Sequence, residues 1–520
     1  MKTSLATELV QIGTPRLTAG LDTKSRLDLA DHLEVHGLFP RLTLRQLITM
    51  VEKVEIKGRG GAGFPLARKI RAVAESANTD GSRTVVLVNG AESEPCSAKD
   101  ALLLVRAPHL VLGGAVLAGR ALRSREIVVG VASGSPGARS ILEAAAEAGM
   151  KRQLRVVEVP DRFISGEGGA LVNAVNGRQP LPPGRKTRAS SSGVDGLPTL
   201  LSNAETFAQL AVLALLGPDE YCSAGTEDEP GTVLLTVRGS ARKPAVVETP
   251  TGVPLGAILD ICEATIGDGV LVGGYHGIWL PPASAVSVPV SRNGMVAAGG
   301  TLGTGVVMPL GEGTCPLGEA ARIASYLAGE SSGQCGPCKL GLPGLARALK
   351  ALADGSGGMN ALETARRSAG AVRGRGACKH PDGASEFVLS ALNTFTDDVA
   401  AHVFHGSCGR PVRGVLSLKA ERERPRLEVD WTRCKGHGLC AELVPELVHL
   451  DRNGYPVLLD ASVPFWLEKD AQQAVEMCPS LALRLTQAEP RPAAPSQRVP
   501  AVPGARYGRI MLELPAGRND

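Results

Sequence analysis

The chain is organised around the stretch Glu330-Ser331-Ser332-Gly333-Gln334-Cys335-Gly336-Pro337-Cys338, which is followed at a distance by Arg375-Gly376-Ala377-Cys378. The residues between them are enough for about ten helical turns. Two thiols separated by two residues can grip one metal centre from a single turn, and a third thiol from a distant helix end closes the cage. Soft thiolates hold iron–sulfur clusters in this way, so the stretch predicts a cluster on a mainly helical scaffold.

A second group of cysteines near the C-terminus comprises Cys434, Cys440 and Cys478. The first group lies between this array and a Gly-rich N-terminal half, which favours a role in relaying electrons between redox modules. Six of the eleven cysteines fall into the two groups, and such grouping predicts metal ligation in a reducing cytoplasm rather than disulfides. The others are interpreted as small packed hydrophobes: Cys96, Cys222, Cys262, Cys315 and Cys408.

Length and charge narrow the class of protein. A chain of 520 residues predicts several domains, and a net charge of +4 suggests neither nucleic-acid binding nor a polybasic membrane anchor. Apolar windows such as His109–Leu122 fall short of the ~20 residues that a membrane-spanning helix needs. The N-terminus lacks the apolar core of a secretory signal, so a cytoplasmic protein without a membrane span is expected.

The pattern of residues predicts a multi-domain α/β protein. Short apolar runs at Thr84–Asn89, Glu126–Val131 and Leu154–Val159 alternate with helices at Pro108–Leu122 and Ala138–Ala148, as in a parallel layered sheet. The predicted domains are an α/β domain at 1–225, a small β-rich domain of the ubiquitin-like kind at 228–305, a helical cluster domain at 310–410, a linker at 411–426, a cysteine-bearing module at 427–488 and a Pro-rich, disordered tail at 489–520.

The β-rich domain is predicted from strands at 232–237, Ala245–Glu248 and Gly269–Val272 around a helix over Leu255–Thr265.

A glycine-rich loop at Gly58-Arg59-Gly60-Gly61-Ala62-Gly63-Phe64-Pro65 opens a basic amphipathic helix, Leu66–Ser76. Its spacing matches the dinucleotide fingerprint, but that fingerprint needs a preceding strand, and residues 44–56 indicate a helix instead. Backbone N–H groups of such a loop can bind phosphate or the edge of a flavin ring. The alternative is an ordinary tight turn before a helix.

Taken together, the ordered motifs resemble one family. They are the glycine loop with Lys69, Asn89–Pro95 with Lys99-Asp100, Ile164-Ser165-Gly166-Glu167 with Ala170-Leu171, Pro198-Thr199, Asn203 with Glu205-Thr206, and the cysteine triad. Over roughly residues 40–405 the chain resembles the NADH-binding flavoprotein subunit of respiratory complex I, a family shared with diaphorase subunits of NAD-reducing hydrogenases and formate dehydrogenases.

The resemblance implies FMN and a nicotinamide nucleotide over one cavity, one [4Fe–4S] cluster, a Rossmann-like domain and a β-grasp domain of the SLBB type. The residues carried over for the flavin are Gly60, Gly61, Lys69, Asn89, Glu92, Glu167 and Asn203, with Gly58, Arg59, Ala62 and Ser202 beside them. Glu94 and Phe64 would face the nicotinamide nucleotide.

Several positions depart from the family. A cysteine is usual at Ser332, so either three thiolates (Cys335, Cys338 and Cys378) hold the cluster or an oxygen such as the Ser332 alkoxide is the fourth ligand, with an altered potential. Ala91 and Gly168 replace acidic residues. Aromatic residues that sandwich the adenine in the family are absent: their positions correspond to Ala72 and Gly184, and Arg185, Lys186 and Arg188 lie nearby. Guanidinium groups favour phosphate, which raises an NADPH preference as a hypothesis; the alternative is a degenerate nucleotide site.

The C-terminal module is similar to small single-cluster ferredoxins, which hold [3Fe–4S] and commonly supply haem-thiolate monooxygenases. A bacterial ferredoxin would have a cysteine at His437, so Cys434, Cys440 and Cys478 leave a [3Fe–4S] cluster, or a [4Fe–4S] cluster if His437 ligates the fourth iron. The alternative for His437 is a solvated loop histidine.

These modules predict an NAD(P)H dehydrogenase or ferredoxin-type oxidoreductase. Electrons would pass from NAD(P)H to FMN, to the central cluster, to the ferredoxin cluster and then to a partner such as a haem-thiolate monooxygenase. No catalytic acid–base pair is expected, because the cofactors carry the chemistry. The alternatives are a non-catalytic conducting or assembly subunit of a larger redox complex, and reverse flow from ferredoxin to NAD(P)⁺. The final acceptor, the nucleotide and the oligomeric state are left open by the sequence.

Overall fold

The computed structural model describes residues 8–184, 187–419, 425–458, 463 and 467–486. The described chain divides into two compact units: the larger takes in the residues up to Ser417, and the smaller begins at Leu418. Within the larger unit, two sheets and a set of helices follow one another along the chain.

The first half of the larger unit is a layered α/β structure. In chain order it contains β1 (Glu8–Gln11), α1 (Leu29–His36), α2 (Leu44–Lys53), α3 (Leu66–Asp80), β2 (Thr84–Gly90), α4 (Lys99–Arg106), α5 (Pro108–Ala121), β3 (Ser124–Ala132), α6 (Pro136–Glu147), β4 (Leu154–Val159), α7 (Gly168–Val175), β5 (Thr199–Asn203) and α8 (Ala204–Tyr221). The predicted strands here and the helices α5 and α6 are confirmed, with small shifts at their ends.

A four-stranded parallel sheet with the order β4-β3-β2-β5 forms the Rossmann-like core of this half. Alternate residues of β2 enter different cores: Val86 and Val88 pack with α5 and α8, whereas Val85 and Leu87 pack with α7. Because both faces are covered, the strand reads as one continuous apolar run. The order of the strands reverses between β2 and β5, and ligands of such sheets bind beyond the carboxyl ends of the strands at that point.

A six-stranded mixed sheet follows, in the order β1-β7-β6-β10-β8-β9. Its elements are β6 (Thr232–Val237), β7 (Ala245–Pro250), α9 (Leu255–Ile261), β8 (Gly269–Val272), β9 (Ile278–Leu280), α10 (Pro282–Ser287), α11 (Arg292–Ala297) and β10 (Val306–Leu310). Strands β1 and β10 come from outside the predicted 228–305 domain. The predicted helix over Leu255–Thr265 is too long, because α9 ends at Ile261 and Glu263 has a left-handed backbone with φ of 48°.

Five helices complete the larger unit: α12 (Pro316–Gly329), α13 (Leu342–Ala353), α14 (Gly358–Val372), α15 (His380–Thr394) and α16 (Thr396–His405). They confirm the mainly helical scaffold. The predicted linker at 411–426 begins as packed chain: the Glu319 carboxylate accepts backbone N–H groups from Arg413, Gly414 and Val415 at 3.1, 2.6 and 3.1 Å. The Pro-rich tail at 489–520 lies outside the described residues.

The smaller unit has its own apolar core. Its elements are β11 (Arg426–Val429), α17 (Leu439–Leu443), β12 (Val448–Leu450), β13 (Pro456–Leu458), α18 (Glu468–Glu476) and β14 (Leu483–Thr486). Strands β11 and β14 pair antiparallel, and α17 and α18 pack beside them around Val444, Ala471 and Leu483.

In the described part of the chain, no single helix is both long and apolar enough to cross a membrane; α4 and α5 pass that test only as a pair, and the pair is bent by 92°.

A cluster of histidines packs α1 against α5, with His32 and His109 buried and His36 half-buried. The rings of His32, His36 and Phe39 lie together, and the His32 ring centroid is 5.7 Å from that of His109. Burial lowers the pKa of His32 to about 3 and that of His36 to about 4. The folded state therefore holds both rings neutral below the pH at which the unfolded chain takes up protons.

This cluster predicts a loss of stability in acid. Between pH 7 and pH 5 the unfolded chain binds protons at these rings while the folded chain does not, so stability falls with pH and keeps falling towards the folded pKa values. His32→Leu removes one of these groups from the unfolded chain. Protonation of His32 there lowers the free energy of unfolding by about 2 kcal/mol between pH 7 and pH 5, and the variant should not show that loss. We expect the wild-type Tm to fall by about 4 °C more than that of His32→Leu between pH 7 and pH 5. Exposed His405→Gln is the control, and equal Tm changes in all three proteins would refute the role of the cluster.

Candidate functional site

The glycine loop lies against the carboxyl end of β5. A Cβ atom on Gly60 would come within 3.2 Å of Asn203 Cβ, so a side chain there would force the loop away from the sheet. Gly61 and Gly63 have φ of +104° and +61°, which other residues rarely adopt. The Gly58 N–H donates to Phe64 O at 3.0 Å and closes the loop. Helix α2, not a strand, precedes the loop, as the sequence predicts.

Two polar side chains beside this loop fit an anionic or heteroaromatic ligand. Lys69 Nζ donates to Leu201 O at 3.1 Å, and burial lowers the pKa of its ammonium group. Ser202 Oγ is buried and has no hydrogen-bond partner among the described residues. A buried hydroxyl without a partner costs free energy, which a bound flavin with phosphate and carbonyl oxygens would offset. These groups border the region beyond the carboxyl ends of β2 and β5, which is called the crevice below, and they fit FMN.

Asn89 and Asn203 end the two strands that border the crevice, and they face each other in the β2–β5 register. Asn89 Nδ2 donates to Gly166 O at 2.9 Å and so fixes the turn that carries Glu167. The Glu167 carboxylate accepts the Ala170 N–H at 2.8 Å as the N-cap of α7. The parallel sheet thus brings together residues that are far apart in sequence.

A buried charge network supports Asn203. Lys99 Nζ lies 3.0 Å from carboxylate oxygens of both Asp100 and Glu205 and 3.2 Å from Asn203 Oδ1. Burial opposes the charge on Lys99, but the two carboxylates prevail and raise its pKa. The Asn203 amide nitrogen donates to Asp100 Oδ2 at 2.6 Å. Asn203 is therefore fixed in orientation before any ligand binds.

Glu92 and Glu94, two of the predicted acidic site residues, have different hydrogen-bond partners. The Glu92 carboxylate accepts the backbone N–H groups of Asp100 and Ala101 at 3.1 and 2.9 Å and the Ser97 hydroxyl. It holds the start of α4, and a direct contact between Glu92 and flavin stays a prediction. The Glu94 carboxylate accepts the Tyr275 N–H at 3.0 Å, so the second sheet holds it at the site.

The residues predicted to contact the nicotinamide nucleotide at the surface have little packing around them where the structure describes them. Phe64 is half-exposed, at 46%, beside the glycine loop. Arg188 is exposed, and Arg185 lies outside the described residues. A phosphate-binding role for these two arginines stays a prediction.

Arg292 is a site residue that the sequence patterns missed. Its Nη2 donates to Gly58 O at 2.6 Å and its Nη1 to Gly61 O at 3.3 Å, so one guanidinium spans the glycine loop. Burial, followed by the charge of Arg59, lowers the pKa of Arg292 to about 10. The Glu229 carboxylate accepts the backbone N–H of Arg292 at 3.0 Å and so fixes the start of α11. No local motif marks Arg292, because its partners lie more than two hundred residues earlier.

Both Cys335 and Cys378 lie close enough to Cys338 to raise its pKa, and their joint ligation of one cluster stays a prediction. Cys335 precedes a π-helical turn, Pro337–Gly341, and its carbonyl accepts the Cys338 N–H at 2.9 Å. Burial and the neighbouring Cys335 thiol raise the pKa of Cys338 to about 11. Ser332 Oγ is buried, 3.9 Å from Cys338 Sγ, and Ser331 Oγ is buried without a partner among the described residues. These donors fit a cluster whose sulfides and iron they would face.

The cluster triad and the candidate flavin site are connected through the turn that precedes Glu167. Burial and then the charge of Glu167 raise the pKa of the Cys378 thiol, and the His380 N–H opposes the rise. The turn Phe163–Gly166, which precedes Glu167, is tied by Glu330 to the segment that leads to Cys335. The Glu330 carboxylate accepts the Phe163 N–H at 2.9 Å and pairs with Arg162 at 3.2 Å. Glu330 is buried, so water does not compete for these contacts, and they hold the turn and the segment before Cys335 in a fixed arrangement.

The terminal cysteines surround a small cavity in the smaller unit. Cys434, Cys440 and Cys478 line it together with His437. Gly436 and Gly438 have φ of +68° and +79° and let the loop curl around it. His437 Nδ1 lies 3.1 Å from Ser480 Oγ, which orients the ring. Three thiols on one curled loop and one helix end fit a small cluster, and ligation by His437 stays a prediction.

Comparison with known families matches three stretches of the chain. Residues 51–212 match the Nuo51 FMN-binding domain, residues 318–402 match the NADH-ubiquinone oxidoreductase-F iron-sulfur binding region, and residues 427–485 match a 4Fe-4S single cluster domain. The fold and these sites together define an iron–sulfur flavoprotein with two cluster-binding regions.

Named relatives narrow this class. The NADH-quinone oxidoreductase-F protein of Streptomyces coelicolor is 30% identical over 384 residues, which is 70% of this chain and 84% of the relative. The corresponding protein of Mycobacterium tuberculosis is 30% identical over 385 residues, covering 70% and 85%, and that of Escherichia coli is 28% identical over 380 residues, covering 69% and 84%. The chain belongs to the NADH-quinone oxidoreductase-F family.

A solved structure agrees with this assignment. A chain of an NAD⁺-reducing [NiFe]-hydrogenase in the air-oxidized state superposes with a TM-score of 0.68 at 25% identity, covering 76% of this chain and 68% of that chain. The mixed α/β fold of this chain is thus similar to that of a chain of a redox enzyme.

Proposed function

We propose that the chain oxidises NADH at FMN held over β2 and β5 and passes the electrons to a cluster at Cys335, Cys338 and Cys378. The observation that carries this proposal is the turn Phe163–Gly166, which has contacts on both sides. Asn89, at the end of β2, donates to Gly166 O at 2.9 Å on the flavin side, and the Phe163 N–H donates at 2.9 Å to Glu330, in the segment that leads to Cys335, on the cluster side. One short turn therefore borders both candidate cofactor sites.

FMN supplies the ability to accept two electrons as hydride and to release them singly. The chain's own residues bind and orient. Lys69 and the loop N–H groups would hold the anionic flavin, and Asn203 is fixed by its network to meet the ring. Glu94, held by Tyr275, would orient the nicotinamide nucleotide over it. No proton-transfer pair is required.

The finer domain assignment is part of the proposal. We assign the second sheet to an SLBB-type β-grasp domain, helices α12–α16 to a cluster-bearing bundle and the smaller unit to a ferredoxin. The ferredoxin cluster, on Cys434, Cys440 and Cys478, would take electrons from the central cluster and deliver them to a partner redox protein, such as a haem-thiolate monooxygenase. A shared chain replaces a diffusional encounter by a tethered one. The cytoplasmic location stays a prediction from the grouping of the cysteines.

A second candidate function is that of a non-catalytic subunit that conducts electrons within a larger redox complex. A related alternative is a subunit that transfers electrons from reduced ferredoxin to NAD⁺. Ala91, Gly168 and Ser332 favour the non-catalytic subunit, because each departs from the pattern of the family. Against it, the crevice retains the buried Lys69 and Ser202 and the pre-oriented Asn203. These groups carry an energetic cost that an empty site would not offset.

Anaerobic absorbance separates these functions. We expect NADH to bleach both the flavin and the iron–sulfur bands of the purified, cluster-reconstituted protein, because hydride transfer at FMN feeds the clusters. If NADPH is the better donor, Arg188→Ala should lose NADPH turnover selectively. Equal losses with both nucleotides would refute phosphate recognition at Arg188. Bands that respond only to dithionite would favour the conducting subunit, and absence of flavin would refute the proposed dehydrogenase.

A further inference from the structure

Three metal-ligating side chains outside the sites described above come together at the edge of the helical bundle. Within the described ranges, the ligand atoms of Cys315, His402 and Cys408 lie within 4.8 Å of one another. Cys315 and His402 are buried, and Cys408 is half-buried. The sequence interpretation of Cys315 and Cys408 as isolated hydrophobes missed this group, because 92 residues separate them in the chain.

The spacing of the group matches one ion rather than a cluster. Cys315 Sγ lies 3.3 Å from His402 Nε2. A tetrahedral zinc ion with Zn–S of about 2.3 Å and Zn–N of about 2.0 Å places neighbouring ligand atoms about 3.5 Å apart. An iron–sulfur cube holds its cysteines further apart, because several atoms separate them. Ligands of this kind and spacing suit a soft divalent ion.

The His402 ring presents an unprotonated nitrogen to the two cysteines. Its Nε2 accepts the Cys408 N–H at 3.3 Å, a contact that an ion on Nε2 would replace, and its Nδ1 is buried with no partner among the described residues. The Gly318 N–H donates to Cys315 Sγ at 3.3 Å from the first turn of α12, where the helix dipole favours negative charge on sulfur. Two thiolates would neutralise a divalent ion.

The surroundings of Cys408 also suit a thiolate. The Arg410 guanidinium lies near Cys408 and is held in place by the carboxylates of Asp268 and Asp398. A fixed donor beside the sulfur is the kind of outer partner that orients metal ligands. The three candidate ligands come from the start of α12, the last turn of α16 and the residues after it.

We infer that Cys315, His402 and Cys408 bind one Zn²⁺ ion, which ties the first helix of the bundle to the last and to the segment that leads out of the larger unit. Cys315 and Cys408 lie outside the matched cluster-binding region at 318–402. Zinc has no redox chemistry, so the site stands apart from the electron path. The three side chains would hold the ion as a clasp between chain segments, with a water molecule in the fourth tetrahedral position.

Metal analysis of the full-length holoprotein tests the site. We expect about one zinc per chain in addition to iron, and a drop of about tenfold or more in Cys408→Ser. Cys222→Ser, at an exposed cysteine in no group, is the matched control and should keep its zinc. Iron, FMN and NADH-driven dye reduction should persist in Cys408→Ser, so failure of the clasp and failure of the proposed function are distinguishable.

Cobalt gives a second test. After removal of zinc by a chelator, Co²⁺ should restore one equivalent of metal with thiolate-to-cobalt charge-transfer bands, and those bands should weaken in His402→Gln, which keeps both thiolates but loses one ligand. Wild-type protein without zinc and without cobalt uptake would overturn the inference. So would zinc lost equally from Cys222→Ser, or a Cys315–Cys408 disulfide found by thiol counting under reducing purification.

Discussion

Cys338→Ser should leave NADH-driven flavin reduction intact and stop electron delivery to the terminal cluster. Cys338 is the most buried thiol of its triad, at 1% exposed, and burial together with Cys335 sets its pKa. Loss of that ligand should release iron from the central site. We expect reduction of the terminal cluster by NADH to slow by roughly a hundredfold or more, while a dye that takes electrons at the flavin is reduced at an unchanged rate.

Stopped-flow absorbance measures the two steps separately, and iron content and FMN content report on assembly. Cys262→Ser is the matched control, since Cys262 is a buried thiol in the core of the second sheet. Unchanged delivery to the terminal cluster in Cys338→Ser would mean that the central cysteines are not on the electron path.

Variants of Ser332 test whether the cluster held by Cys335, Cys338 and Cys378 has a fourth protein ligand. Its hydroxyl is buried beside Cys338 Sγ, where an alkoxide could be a ligand. If Ser332 is the fourth ligand, Ser332→Ala should convert a four-iron cluster to a three-iron one, which is visible by electron paramagnetic resonance in the oxidised protein. If three thiolates suffice, Ser332→Ala should leave the spectrum unchanged and Ser332→Cys should create a four-iron cluster.

The sequence predicted the features that depend on neighbouring residues. The strand at β2 follows from a short β-branched run, and the spacing of Cys335 and Cys338 follows from one turn of chain. The order of the motifs predicts that Asn89, Glu167 and Asn203 meet at one site. The parallel register pairs Asn89 with Asn203, and Asn89 bonds to Gly166 O beside Glu167, while their contact with flavin stays a prediction. What the sequence predicted least well depends on pairing between distant segments.

Two examples show the physical reason. Strand β1 joins the second sheet by pairing with β7, although more than two hundred residues separate them, and nothing in the Glu8–Gln11 pattern specifies that partner. His402 reads as an ordinary helical residue until α16 packs beside α12 and brings it to Cys315. Tertiary contacts of this kind have no local signature.

Arg292→Ala should weaken FMN binding without unfolding the chain. The side chain donates to the Gly58 and Gly61 carbonyls, and both bonds are charge-assisted and partly buried. Without these two hydrogen bonds the glycine loop can move away from Asn203. The free energy needed to restore its shape then appears as weaker binding of FMN. We expect a cost of about 2 kcal/mol, or roughly a thirtyfold rise in the Kd for FMN.

Quenching of FMN fluorescence during titration of the flavin-free protein measures this Kd. Arg242→Ala is the control: Arg242 is an exposed arginine whose nearest carboxylate, Glu263, is 3.7 Å away, and its removal should leave the Kd unchanged. Arg292→Lys should fall between the two, because a single ammonium cannot span Gly58 and Gly61 as the planar fork does. An Arg292→Ala protein with wild-type affinity would show that the loop keeps its shape unaided. A matching loss in both Arg292 variants would instead show that the two-carbonyl geometry, rather than positive charge alone, prepares the crevice.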